Sequence, residues 1–140
     1  MDREALLAFL KAHDHGVQAS LHDDGRPQAA VVGLAVTDEL ELVFDTLGDT
    51  RKAANLRQDP RIALVVGWDH ETVQLEGVAD EPQGEELERV RAAYFRAFPE
   101  GGPERAGWPG ITWFRVKVRW ARYSDFRGAA PVIEVVDLSR

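Results

Sequence analysis

Two adjacent cations, Arg51 and Lys52, follow Thr50 at the start of a helix predicted over residues 50–58. A helix N-terminus is the positive end of its macrodipole, so each cation there should cost roughly 0.3–1 kcal/mol. The acids nearby in sequence are Asp45 and Asp49. An anion held by the helix N–H groups, the Thr50 hydroxyl and both cations would remove the conflict, and phosphate is the usual guest. The competing reading sends Arg51 and Lys52 to solvent or pairs them with Asp49. Other chemistry is thinly represented. No Ser-His-Asp spacing, P-loop or GxGxxG fingerprint occurs. His13, His15 and His22 read as solvent-facing rather than as metal ligands, and His70 reads as a loop histidine. Glu85, Glu86 and Glu88 read as a solvated, dipole-matched helix start.

The elements that must position the cation pair follow from periodicity and turn chemistry. Asp2 can cap a first helix with Leu6, Phe9 and Leu10 on one stripe, and Gly16 is expected to end it. Val17, Ala19 and Leu21 alternate with Gln18, Ser20 and His22, the pattern of a half-buried strand. The turn Asp23-Asp24-Gly25-Arg26 leads into residues 28–36, an apolar run expected to be covered on both faces. Residues 40–44 return the chain. Asp59-Pro60 stops the 50–58 helix, and strands follow over 62–66 and 72–79, with Gln74 and Glu76 opposite Val73, Leu75 and Gly77. A long helix spans about 84–98. A Gly/Pro-rich stretch, 99–110, is expected to be the most mobile. A long strand containing Trp113 to Trp120 comes next, and an edge strand is expected at 132–136. Tight turns without regular βαβ alternation predict a mainly antiparallel barrel with two or three peripheral helices, residues 1–140 forming a single domain.

Composition narrows the partners. The chain has 140 residues, a net charge of −7, 44% hydrophobic residues and no cysteine. Disulfides, thiolate metal sites and cysteine nucleophiles are thereby excluded. The acidic balance argues against nucleic acid or an anionic membrane as partner. No apolar run approaches the roughly 18 residues that span a bilayer, and the acidic start does not read as a signal peptide, so a cytoplasmic protein is expected.

The stretch 44–61, FDTLGDTRKAANLRQDPR, with the apolar strand after it, resembles the FMN-binding split barrels related to pyridoxamine 5′-phosphate oxidase. The resemblance extends back through Asp24-Gly25-Arg26-Pro27 and forward to Gln74, covering about residues 4–126. It implies an antiparallel split β-barrel and a homodimer with FMN in grooves between subunits. By the same resemblance Arg51 and Lys52 grip the FMN phosphate beside Thr50, and Asp45 and Thr46 lie along the flavin. Gln74 hydrogen-bonds the isoalloxazine, and Val31 and Val32 lie on the strand whose backbone faces the ring. The implied function is an FMN-dependent oxidoreductase acting on a small-molecule substrate; a non-enzymatic flavin- or haem-binding module and a user of the deazaflavin F420 are the alternatives. Two positions depart from the full oxidases: Ala30 stands where they carry a basic residue, and Leu40 where they carry a lysine. A C-terminal substrate segment is also expected to be missing, so efficient pyridoxamine phosphate oxidation is not expected. Trp108, Trp113 and Trp120 could stack on a flavin, but core or subunit interface is the commoner fate of such residues.

Overall fold

The computed structural model describes residues 1–139. The order is α1 (Arg3–Lys11), β1 (His15–Leu21), β2 (Pro27–Gly33), β3 (Ala35–Val36), β4 (Glu41–Leu47), α2 (Arg51–Gln58), β5 (Arg61–Val66), β6 (Glu71–Asp80), α3 (Gly84–Ala97), α4 (Gly102–Arg105), β7 (Ile111–Asp125) and β8 (Val132–Val135). The eight strands form one curled sheet in the order β2-β1-β5-β6-β7-β4-β3, with β8 paired to β7. Every strand pairing is antiparallel, as expected for a split barrel. The fourth helix is a single turn inside the stretch 99–110.

β7 is the spine. Its residues 111–117 pair with β4, 115–125 with β6 and 122–125 with β8. The sheet bends where the β6–β7 register shifts between Glu76 and Gly77. Only glycine fits there, because a Cβ on Gly77 would lie 2.3 Å from the Lys117 carbonyl oxygen. Inside the curl, Leu6 and Leu10 of α1 join Leu42, Phe44, Leu64, Leu75, Phe114 and Val116, with the Phe44 and Phe114 rings stacked 5.7 Å apart. A second cluster forms where α3 lays Val90 and Tyr94 against Ala35, Val43 and Trp113. Trp113 is therefore a core residue, held edge-on by Tyr94 and Phe95.

Three local expectations are corrected. Gly16 does not end α1, which stops at Lys11; it lies inside β1, where Leu34 and Val66 leave no room for a side chain. The β1 alternation is real, but its buried members are the polar Gln18 and Ser20, while Val17, Ala19 and Leu21 stay half-exposed. Residues 28–36 are not covered on both faces either: they break into β2 and β3 at Leu34, and Val31 is 64% exposed.

Gln18 is 1% exposed, and its side-chain carbonyl has no hydrogen-bond partner among the described residues. A buried polar atom without a partner costs about 1–3 kcal/mol. Gln18→Met, which keeps the volume and removes that atom, is expected to raise cofactor-free stability by about 1 kcal/mol. A lower urea midpoint for the variant would contradict this.

Candidate functional site

The cation pair begins α2 as the sequence suggests. Thr50 is the N-cap in extended conformation, its hydroxyl oxygen accepting from the Ala53 N–H at 3.4 Å. The same hydroxyl donates to the Leu47 carbonyl at 2.9 Å, so the Thr46 hydroxyl, 3.0 Å away, donates to Thr50. This small hydroxyl chain fixes the end of β4 against the start of α2. The first-turn N–H groups of Arg51 and Lys52 have no acceptor within the helix. No acid stands in the first turn to offset the macrodipole.

The two cations differ. Arg51 is exposed; Lys52 is half-buried. Neither forms an ion pair among the described residues, and the pairing of Lys52 with Asp49 is not present. Burial pushes the Lys52 ammonium below its ordinary pKa, and attraction to Asp45 only partly opposes it. A partly desolvated cation beside free helix N–H groups is complementary to a bound anion.

Asp45 is engaged by residues of α3 and α4. Its carboxylate, buried in β4, is bound by the guanidinium of Arg105, whose Nε lies at 3.1 Å, and by the Tyr94 hydroxyl at 3.3 Å. Arg105 also donates to Tyr94 at 2.8 Å and sits between the Tyr94 and Trp108 rings, 5.8 and 6.0 Å from their centroids. Burial first, and then Asp45, push the Tyr94 phenol well above its usual pKa, so it stays a neutral donor. The stretch 99–110, expected to be mobile, is thus tied down by α4, by this ion pair and by a hydrogen bond from the Gly48 N–H to the Gly110 carbonyl. Arg105 escaped the sequence reading. The only signal was an acid in the apolar run Leu42-Val43-Phe44, which demands a cation without naming it.

The structure brings Asp45, Thr46, Thr50 and Lys52 together at the β4–α2 junction, with Arg51 on its rim. Val31 and Gln74 stand elsewhere, on the outer sheet face. They belong to one transverse row, Val31–Val17–Val65–Gln74–Arg122–Val135, crossing β2, β1, β5, β6, β7 and β8. Gln74 is exposed and accepts a 3.4 Å hydrogen bond from Arg122. Val32 points the other way, into the core, at 5% exposure. Trp120 is half-buried on the outer face and Trp108 is half-exposed over Arg105. His22 lies beside Asp23 and Asp24 on an exposed turn. His13 is held by the Phe9 carbonyl and stacks on the Phe9 ring. No described helix is long and apolar enough to cross a membrane.

Comparisons with known proteins agree with this architecture. A pyridoxine/pyridoxamine 5′-phosphate oxidase from Burkholderia lata is 35% identical over 101 residues, which is 71% of this chain and 45% of that protein. One from Rubrobacter xylanophilus is 37% identical over 100 residues, 70% of this chain and 44% of that one. The chain therefore spans just under half the length of these relatives. Among solved structures, a heme binding protein from Mycobacterium smegmatis superposes with a TM-score of 0.77 at 21% identity, over 94% of this chain and 60% of that one. A pyridoxamine 5′-phosphate oxidase-related, FMN binding protein from Nostoc punctiforme gives 0.71 at 14% identity, over 96% of each chain. These structural likenesses show a shared fold. The sequence model for pyridoxamine 5′-phosphate oxidase matches residues 2–125, nearly the whole chain, and with that match this protein belongs to the pyridoxamine 5′-phosphate oxidase family.

Proposed function

We propose that the chain binds FMN, with the phosphate at the start of α2, and acts as an FMN-dependent oxidoreductase on a small-molecule substrate. The observation that carries this reading is Lys52: a half-buried cation with no ion-pair partner, next to helix N–H groups that lack acceptors. Thr50 adds a hydroxyl already oriented by Leu47 and Thr46. A phosphate monoester fits this donor set because it offers charge and several acceptor oxygens at one point.

FMN, when bound, supplies hydride and electron transfer, and the protein supplies binding and orientation. Lys52, Arg51 and Thr50 hold the phosphate. Asp45 is committed to Arg105 and Tyr94, so its role is to anchor the 99–110 stretch over this end of the barrel and to attract Lys52. Gln74 and Val31 lie on the outer face, away from α2, so one chain does not gather the whole site. In a homodimer that joins these outer faces, Gln74 of one copy serves the flavin held at the interface with the other. Exposed Val31, Val65 and Val135 give that face the apolar character such contact needs. Soluble expression in the cytoplasm belongs to the same reading.

Denaturing the purified protein and identifying the released small molecules by mass spectrometry tests the cofactor. FMN in near-stoichiometric amount is the expected result. Haem with a Soret band, F420, or no uptake of added flavin would overturn the reading.

A further inference from the structure

The junction that carries the proposed phosphate site also carries a buried negative charge. The Asp45 side chain is 3% exposed, and it directly precedes Thr46, whose hydroxyl lies 3.0 Å from that of the α2 N-cap Thr50. Its carboxylate is near enough to Lys52 to attract it, though the two form no ion pair. A bare carboxylate in this place would repel the anion that Lys52 and the α2 N–H groups are placed to hold. Two unit charges about 10 Å apart at an effective dielectric of about 20 change a binding constant about tenfold. The other acid close by in sequence, Asp49, is exposed, so water and salt screen it.

Arg105 cancels the buried charge. Its Nε donates to Oδ2 of Asp45 at 3.1 Å and its Nη2 donates to Oδ1, the two-point geometry that suits a guanidinium to a carboxylate. Nη2 also donates to the Tyr94 hydroxyl at 2.8 Å, and that hydroxyl donates to Oδ1 at 3.3 Å. Anchoring the 99–110 stretch does not by itself call for such a pair. Hydrogen bonds from the Gly102 N–H to the Phe98 carbonyl and from the Gly48 N–H to the Gly110 carbonyl also hold it. Apolar side chains of similar volume commonly stabilise a fold as well as a buried ion pair does. What apolar side chains cannot do is keep a carboxylate neutralised beside an anion site.

We infer that Arg105 sets the selectivity of this site for a phosphorylated ligand, by neutralising Asp45 so that no buried acid offsets Arg51 and Lys52. The inference rests on the phosphate site proposed above and adds a residue outside α2 that tunes it. Arg105 is a positioning residue, since it acts through Asp45.

The test reads the ratio of the riboflavin and FMN dissociation constants, from fluorescence titrations of the full cofactor-free chain. Circular dichroism and thermal melts establish that each variant is folded. The two ligands differ only in the phosphate, so a change in the shape of the flavin site cancels in the ratio. Working at pH 8 keeps the Asp45 carboxyl ionised when burial without a partner raises its pKa. Arg105→Gln is expected to lower the ratio about tenfold or more, because Asp45 then faces the phosphate unpaired. Asp45→Asn is expected to raise it about threefold or more, because the guanidinium becomes a further free cation. The double variant is expected to return to within about threefold of the wild type. A role confined to anchoring would leave the ratio at its wild-type value in all three variants, even where both affinities fall, and that result would overturn the inference. Should Arg105→Gln fail to fold, Asp45→Asn decides alone, and an unchanged or lowered ratio contradicts the inference. A wild type whose ratio is near one, or which takes up neither flavin, would instead overturn the phosphate site itself.

Discussion

Glu41→Ala is expected to lower the unfolding free energy by about 2–4 kcal/mol, close to the cost of breaking a buried ion pair and leaving its partner uncompensated. Glu41 is 8% exposed and joins α3 to the sheet. Its carboxylate accepts from Arg89 at 2.7 and 3.0 Å, from the Thr37 hydroxyl at 2.8 Å and from Arg115 at 3.4 Å. Arg115, itself buried, keeps Asp80 when Glu41 is lost, and Arg89 is about one-third exposed, so the effect stays below the full range for a sealed pair. Urea unfolding of wild type and variant measures the difference. A change under 1 kcal/mol would show that water replaces the network freely.

The same network makes an acid limb. Burial pushes the Glu41 carboxyl upward, but Arg89, Thr37 and Arg115 outweigh it and hold the pKa below the ordinary value of 4.5. A carboxylate with a depressed folded pKa stabilises the fold fully above its unfolded pKa. That stabilisation is lost as pH falls through the folded value. Stability should therefore fall on acidification below about pH 4.5, and Glu41→Gln should show a shallower fall over the same window.

The parts of the fold legible in the sequence are those fixed by local chemistry. Thr50 and Asp59-Pro60 bracket α2 because capping and the proline restriction act within a few residues. Asp2 caps α1 for the same reason, accepting from the Ala5 N–H at 2.9 Å. Strand alternation was equally legible, but a period of two carries no sign. Nothing in the order Val17-Gln18-Ala19-Ser20 says that the polar pair faces inward, where Asn55 of α2 meets Ser20 at 3.1 Å. Arg51 and Lys52, the cations of the proposed phosphate site, lie side by side in sequence and are legible there. Arg105 lies 60 residues from the Asp45 it binds, and only the packing of α3 and α4 on β4 makes them neighbours.

Lys52→Ala gives the second large effect and bears on the central claim. If Lys52 holds a phosphate monoester, its charge-assisted hydrogen bond is worth roughly 1.5–3 kcal/mol. FMN binding should then weaken by about one to two decades, while riboflavin, which lacks the phosphate, should lose much less. Burial already holds the Lys52 pKa down, so its charge is a cost to the folded cofactor-free protein. Removing it should leave the melting temperature of that form unchanged or slightly raised. A residue whose role is only structural would lower that temperature and affect both ligands alike. The decisive measurement is a pair of fluorescence titrations, FMN and riboflavin, on wild type and Lys52→Ala. A large selective loss for FMN is the predicted result, and equal losses for the two ligands would contradict the phosphate site.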